Sequence, residues 1–138
     1  MKYFTLKELI KSNIAEKYGI HNIPSKGQEK KLIKLIDNIL DPAREEFKAP
    51  IYVHSGFRCP KLNKKVGGAK NSQHTKAEAV DLVCHNNIKL LEILKKLNFD
   101  QLIIEKPIAD YPSWLHVSYV DNNRNEILIY KNGKYKRV

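Results

Sequence analysis

The segment SQHTKAEAVDL, Ser72–Leu82, places a loop histidine directly before a short strand that has a carboxylate at its centre. Alternation along the strand predicted for Ala79–Val83 puts Asp81 on the face opposite Val80 and Leu82. An ionised carboxylate among small apolar neighbours is costly to bury unless a partner compensates its charge. The segment therefore predicts a strand that carries a charged functional group into the protein.

A second strand is predicted within WLHVSY, Trp114–Tyr119, where His116 shares one face with a tryptophan and a serine. Two imidazoles and one carboxylate, from His74, His116 and Asp81, form a donor set that suits zinc and leaves a fourth position for water. Spacing alone leaves open the alternative that each histidine is a hydrogen-bonded structural residue.

The rest of the chain divides at Pro50. Residues 1–48 show helical periodicity and two capping-box patterns, and Asp41 followed by Pro42 is typical of a cap and the first turn of a new helix. After Pro50 come short β-branched and aromatic runs separated by turn residues, ending in a hairpin pattern around Asn132. The predicted class is α+β, with N-terminal helices packed on a mainly antiparallel sheet.

Composition fits one domain over residues 1–138, with 1–48 as helical scaffold and 50–138 as the catalytic part. The chain has 25 Lys and Arg against 15 Asp and Glu, a formal charge of +10, and 42% hydrophobic residues. Such charge favours anionic partners, but no helix combines clustered basic residues with stacking aromatics, so nucleic acid is not the expected partner. The two cysteines do not form a disulfide framework.

Three motifs in order extend this interpretation: SGFRCPKLNKKVGG (Ser55–Gly68), SQHTKAEAVDL and WLHVSY. Together they resemble the zinc D-alanyl-D-alanine carboxypeptidase family, which includes phage L-alanyl-D-glutamate endolysins and shares its fold with the hedgehog domain. The looser likeness of FTLKELIKS, Phe4–Ser12, extends the resemblance over most of the chain.

The resemblance implies zinc ligands at His74, Asp81 and His116. It also implies that Arg58 stabilises an oxyanion near the scissile carbonyl. Ser72 and Trp114 are expected to contact substrate, although turn capping and core packing are the respective alternatives.

The sequence departs from the family pattern at three positions. Ala77 stands where glycine is usual: a positive φ there would strain the backbone, and ordinary dihedral angles in this loop are the alternative. Cys59 replaces a small hydroxyl residue. Ser113 occupies the place where many relatives carry an acid, so the general base is assigned to Glu105, with Asp110 as the alternative.

The resemblance thus predicts a zinc peptidase that hydrolyses peptidoglycan stem peptides with a zinc-bound water as nucleophile. It acts either as a D-Ala-D-Ala carboxypeptidase or as an endolysin-type endopeptidase, and a catalytically silent zinc module is the alternative. The N-terminus lacks a signal-peptide pattern, and no apolar run is long enough to cross a membrane. The expectation is a monomer made in the cytoplasm that acts in the periplasm or cell wall after release.

Overall fold

The computed structural model describes residues 1–138 and places four of its six α-helices before the first strand. Both predicted capping boxes are present, at Thr5 with Glu8 and at Ser25 with Gln28. The helices are α1 (Leu6–Ile10), α2 (Asn13–Lys17), α3 (Lys26–Leu35), α4 (Asp41–Phe47), α5 (Pro60–Lys65) and α6 (Asn87–Lys95). None of them is long and apolar enough to span a bilayer.

The predicted cap at Asp41 is wrong. Helix α3 continues into α4 through a π-helical turn, Ile36–Leu40, and Asp41 itself has helical dihedral angles. Its carboxylate instead accepts hydrogen bonds from the backbone N–H groups of Tyr3 (3.0 Å) and Phe4 (3.1 Å). Asp41 therefore anchors the N-terminal segment, because the free N–H groups of that segment lie within its reach in the folded chain.

A six-stranded sheet follows, in the spatial order β1-β2-β4-β3-β5-β6. All neighbouring strands are antiparallel except β3 and β5, which are parallel. The α+β prediction with a mainly antiparallel sheet is confirmed. The strands are β1 (Tyr52–Ser55), β2 (Ala79–Val83), β3 (Gln101–Glu105), β4 (Trp114–Ser118), β5 (Glu126–Lys131) and β6 (Lys134–Arg137).

Strand alternation gives the sheet one apolar face and one face that carries the polar side chains of the cleft. The central strands bury a set of fully inaccessible aliphatic side chains in the same core cluster as residues of α1, α3, α4 and α6. The residues between them point to the other face, where a cleft crosses the sheet. The inward set is Val80, Leu82, Leu102, Leu115 and Val117.

Candidate metal centre and cleft

Asp81 and His116 meet because their strands pair in a fixed register. They are directly opposite each other in the β2–β4 ladder, and Ile103 of β3 lies opposite His116 on its other side. Residues opposite one another in an antiparallel pair have Cβ atoms about 5 Å apart. The sheet alone therefore brings the carboxylate and this imidazole together.

His74 reaches the same point from a loop. The backbone N–H of Arg58 donates to the carbonyl of His74 (3.2 Å), and His74 Nδ1 lies 2.8 Å from the carbonyl oxygen of Gly56. The backbone N–H of the preceding residue, Phe57, donates to the carbonyl of Leu9 near the end of α1 (2.7 Å). His74 is thus held by main-chain groups that are fixed to the N-terminal helices.

The three side chains form a compact, buried cluster. Asp81 Oδ1 lies 3.3 Å from His74 Nε2 and 3.1 Å from His116 Nδ1, and all candidate ligand atoms lie within 4.8 Å of one another. Zinc bonds of about 2.0–2.1 Å in a tetrahedron separate neighbouring ligand atoms by about 3.3 Å. The spacing therefore fits a zinc ion.

The hydrogen bonds of His74 give a second test of that fit. A carbonyl oxygen only accepts, so His74 Nδ1 carries the proton that it donates to Gly56, and in the neutral ring Nε2 presents a lone pair to Asp81. A lone pair facing a buried carboxylate is repulsive without positive charge between them. A metal ion bound between the two groups would supply that charge, so the hydrogen bond of Nδ1 with Gly56 fits a metal-binding role for Nε2.

Burial by itself would raise the pKa of Asp81. The contacts of this carboxylate with the imidazoles of His116 and His74 outweigh burial and hold the pKa of Asp81 well below its usual range. The carboxylate is therefore ionised at neutral pH, which is the form that binds a metal.

Glu105 and Asp110 differ in their environment. Glu105 ends β3 opposite Trp114 and lines the cleft, where burial first and the charge of Asp81 second raise its pKa to about 6. Asp110 is exposed at the tip of a two-residue turn between Ile108 and Tyr111. The geometry favours Glu105 as the acid–base residue, and the role itself stays a prediction.

Arg58 lies beside the metal cluster with neutral partners only. Its Nε donates to Ser55 Oγ (3.2 Å) and its Nη1 to Asn63 Oδ1 (2.9 Å), and burial lowers its pKa although the charge of Asp81 opposes this. Gly68 permits this arrangement, since a Cβ there would lie 2.6 Å from Arg58 Nη1. The guanidinium charge is therefore available to a substrate in the cleft, as the oxyanion role requires.

The two predicted substrate contacts are both at the cleft, and each also has a structural partner. Ser72 Oγ accepts from the backbone N–H of His74 (3.2 Å), which is the turn-capping alternative. The Trp114 ring stacks at a tilt on His54 with centroids 5.6 Å apart, and its Nε1 is buried without a hydrogen-bond partner. Substrate contact by either residue stays a prediction.

Ala77 adopts the backbone conformation that its usual glycine counterpart would favour. Its φ is +59°, and its side chain is fully buried in the core. A left-handed conformation costs a non-glycine residue about 1–2 kcal/mol. The sequence expectation of strain at this position therefore agrees with the structure.

Several cleft residues were missed by sequence reasoning. Gln73 Oε1 lies 2.8 Å from His116 Nε2, and Tyr130 and Tyr135 pair across the β5–β6 hairpin with ring centroids 4.5 Å apart. For the two tyrosines, the sequence predicts the hairpin and the face of each strand. It does not indicate which strand of the sheet the hairpin pairs with. Nothing local in the sequence indicates that Gln73 contacts a residue 43 positions away.

The cleft has two lobes that meet at the metal cluster. One lobe, of about 780 Å³, runs toward β1 and the α1–α2 segment, and the other, of about 760 Å³, runs toward β6. Arg58, Asp81 and Trp114 line both lobes. Asp81 therefore borders both cavities, whereas His74 and His116 line only the second.

Two imidazoles and a carboxylate in an open cleft, beside an acid and an arginine, are the centre of a metal-dependent hydrolase. The family model described as Peptidase M15 matches residues 2–118. The chain belongs to this family, whose members are zinc-dependent peptidases. A comparison with curated protein sequences finds no significant match.

Proposed function

We propose that this peptidase hydrolyses the stem peptides of peptidoglycan, with zinc held by His74, Asp81 and His116. The observation that carries the proposal is the convergence of those three ligand atoms, all within 4.8 Å of one another, inside a cleft of an M15 family member. Cell-wall peptides as substrate are supported by the motif resemblance over Ser55–Gly68, Ser72–Leu82 and Trp114–Tyr119.

The chemistry divides between the metal and the side chains. A bound zinc supplies a Lewis acid that lowers the pKa of water and polarises a carbonyl. Glu105 accepts the proton of the attacking water and delivers it to the departing amine. Arg58 stabilises the negative charge that develops on the carbonyl oxygen, because its guanidinium lacks a carboxylate partner.

The cleft favours cleavage of an internal bond over removal of a terminal residue. Six strands at about 4.8 Å spacing are about 24 Å wide, which accommodates about seven extended residues. Lining residues extend from Tyr52 in β1 to Tyr135 in β6, with Asp81 and His116 on the second and third strands of the order. A substrate chain can therefore continue on both sides of the scissile bond, as an endolysin-type endopeptidase requires.

A digest of purified peptidoglycan tests substrate and bond together. We expect the protein to release stem-peptide fragments that are cut internally, and a zinc chelator to abolish the release. Mass spectrometry of the products identifies the bond. Loss of terminal D-Ala alone would overturn the internal-bond proposal, and no cleavage by the zinc-loaded protein would overturn the peptidoglycan proposal.

The acid–base assignment has a matched pair of variants. Glu105→Gln should retain zinc but lose cleavage by about 100-fold or more, because general acid–base catalysis contributes about 10²–10⁴-fold. Asp110→Asn makes the same chemical change at an exposed turn and should leave the rate unchanged. The opposite pattern would move the role to Asp110.

One observation favours a catalytically silent zinc module as a second candidate. At the position where relatives carry an acid, Ser113 donates its hydroxyl proton to the carbonyl of Lys106 (2.6 Å), so it supplies no base. Zinc and peptide binding without hydrolysis would support this module.

The place of action follows from the proposed substrate, which lies in the periplasm or cell wall. The formal charge of +10 would assist approach to an anionic wall. We expect cleavage of intact walls to fall as salt rises, while cleavage of a soluble stem peptide changes less.

A further inference from the structure

Gln73 connects His116 to a charged pair outside the ligand set, in which the carboxylate of Asp100 is buried and Arg124 is exposed. Its Nε2 donates to Asp100 Oδ2 (3.0 Å), and its Oε1 lies 2.8 Å from His116 Nε2. Arg124 in turn donates to both oxygens of Asp100, from Nε and from Nη2, at 2.8 Å each. The chain of contacts runs from the partly exposed Arg124 to the metal cluster.

Asp100 determines which way the amide of Gln73 points. Asp100 is only 3% exposed, and its hydrogen bonds with Arg124 lower its pKa, so it is an ionised carboxylate that only accepts. Gln73 must therefore present its NH₂ group to Asp100. Its carbonyl oxygen is left facing His116.

The oriented amide in turn determines the tautomer of His116. An amide oxygen only accepts, so the proton of the neutral His116 ring lies on Nε2. The lone pair is then on Nδ1, the atom that lies 3.1 Å from Asp81 Oδ1. With the amide reversed, Nε2 would accept and Nδ1 would carry a proton that blocks it as a ligand.

We infer that Gln73 is a positioning residue of the metal centre, which is held by Asp100 and makes His116 present Nδ1 toward Asp81 and His74. The inference rests on the metal part of the proposed function and is independent of the proposed substrate. Outer partners of metal-bound histidines typically change metal affinity by about 10–100-fold when removed.

The first test is zinc affinity, measured by competition with a chromogenic chelator. Gln73→Met keeps a similar length but cannot accept a hydrogen bond, and we expect it to weaken zinc binding by about 10–100-fold. Gln101→Met is the matched control: Gln101 also donates to a carboxylate, that of Glu126, but does not contact a ligand. We expect unchanged affinity for the control, and equal affinities for the two variants would overturn the inference.

A swapped pair separates this role from general stability. Gln73→Glu alone sets two carboxylates against each other, and Asp100→Asn alone allows the Gln73 amide to turn, so each should weaken zinc binding. The double variant restores the order toward His116, since the new amide at position 100 donates to the new carboxylate at position 73, which accepts from His116. It does not restore the contact with Arg124 Nη2, which donates to the same Asp100 oxygen as Gln73. We expect its affinity to return toward wild type, and additive losses would overturn the inference.

A spectroscopic signature completes the test. In ¹⁵N-labelled, zinc-loaded protein, the His116 Nε2–H resonance should be visible in wild type and in the double variant. In Gln73→Met it should be lost to solvent exchange. A His116 proton on Nδ1 in the wild type would refute the inference, whereas failure to cleave peptidoglycan would affect only the proposed substrate.

Discussion

The metal centre has a strand-borne half and a loop-borne half, and the two are held in different ways. Asp81 and His116 belong to paired central strands, where the ladder fixes their separation. His74 belongs to a loop that depends on the carbonyl of Gly56. The segment Gly56–Arg58, which holds this loop, is attached to Leu9 near the end of α1 through Phe57 N–H.

The difference shows that the helical part of the chain is coupled to the site although it supplies no ligand. The strand-borne half persists as long as the sheet does. The loop-borne half requires α1 to remain in place against the segment Gly56–Arg58. Substitutions can therefore disrupt the two halves separately.

The largest effect is expected from the strand-borne half. Asp81→Asn removes the charge that faces both imidazoles, so zinc affinity should fall by more than about 100-fold, which exceeds the typical loss of an outer partner. Cleavage should fall to background. Asp121→Asn, which removes an exposed carboxylate paired only with Lys34, serves as the control and should leave both unchanged.

Gly56→Ala breaks the loop-borne half. A Cβ at this position would lie 2.1 Å from the carbonyl oxygen of Leu9, so the loop or α1 must move. We expect the free energy of unfolding, measured by denaturant titration, to fall by about 3 kcal/mol. We also expect weaker zinc binding, measured by competition with a chelator.

Gly27→Ala is the matched control for this change. Gly27 lies in α3, where the nearest atom to a new Cβ is 4.0 Å away, and alanine should stabilise the helix by about 0.5–1 kcal/mol. Equal behaviour of the two variants would show that Gly56 does not couple α1 to the loop.

The pH dependence tests Glu105, which faces the strand-borne half. Because burial and then the charge of Asp81 raise its pKa to about 6, the carboxylate is protonated below that pH and its capacity as a base is lost as pH falls. A bound cation favours the carboxylate, so the acid limb of kcat/KM should lie at or below pH 6. Carboxyl ¹³C titration of the metal-free protein measures the pKa directly, and a value of 4.5 would contradict the prediction.

The smallest effect is expected at Ala77, which follows His74 in the loop-borne half. Ala77→Gly removes the strain of the positive φ, which stabilises the folded state. It also removes a buried methyl group, worth about 0.8 kcal/mol, and increases the conformational entropy of the unfolded chain, and both of these changes are destabilising. We expect the free energy of unfolding to change by less than about 1 kcal/mol. A larger loss in thermal or denaturant unfolding would mean that the methyl group matters more than the strain.

Much of this architecture was predictable because its signals are local. Alternation along Ala79–Val83 and Trp114–Ser118 gives the buried and cleft faces, and the capping boxes and the Asn132-Gly133 turn depend on near neighbours in sequence. The candidate ligands His74, Asp81 and His116 were predicted from motif order, and the structure brings them together.

The rest depends on register and on distant contacts. The position of Glu105 beside the centre requires the β3–β4 pairing, which no local pattern specifies. The prediction that Asp41 caps a helix is wrong because its carboxylate accepts from N–H groups that are distant in sequence and are brought to it by the fold. The contact of Gln73 with Asp100 spans 27 positions and depends equally on the folded chain.

The β5–β6 hairpin lies beyond residue 118, where the match to the family ends, yet it supplies Tyr130 and Tyr135 to one lobe of the cleft. Its strand β5 joins the rest of the sheet at the outer edge of β3, through a parallel pairing. None of the candidate ligands belongs to this hairpin. Substitutions in the hairpin can therefore reshape one wall of the cleft while the three candidate ligands stay in place.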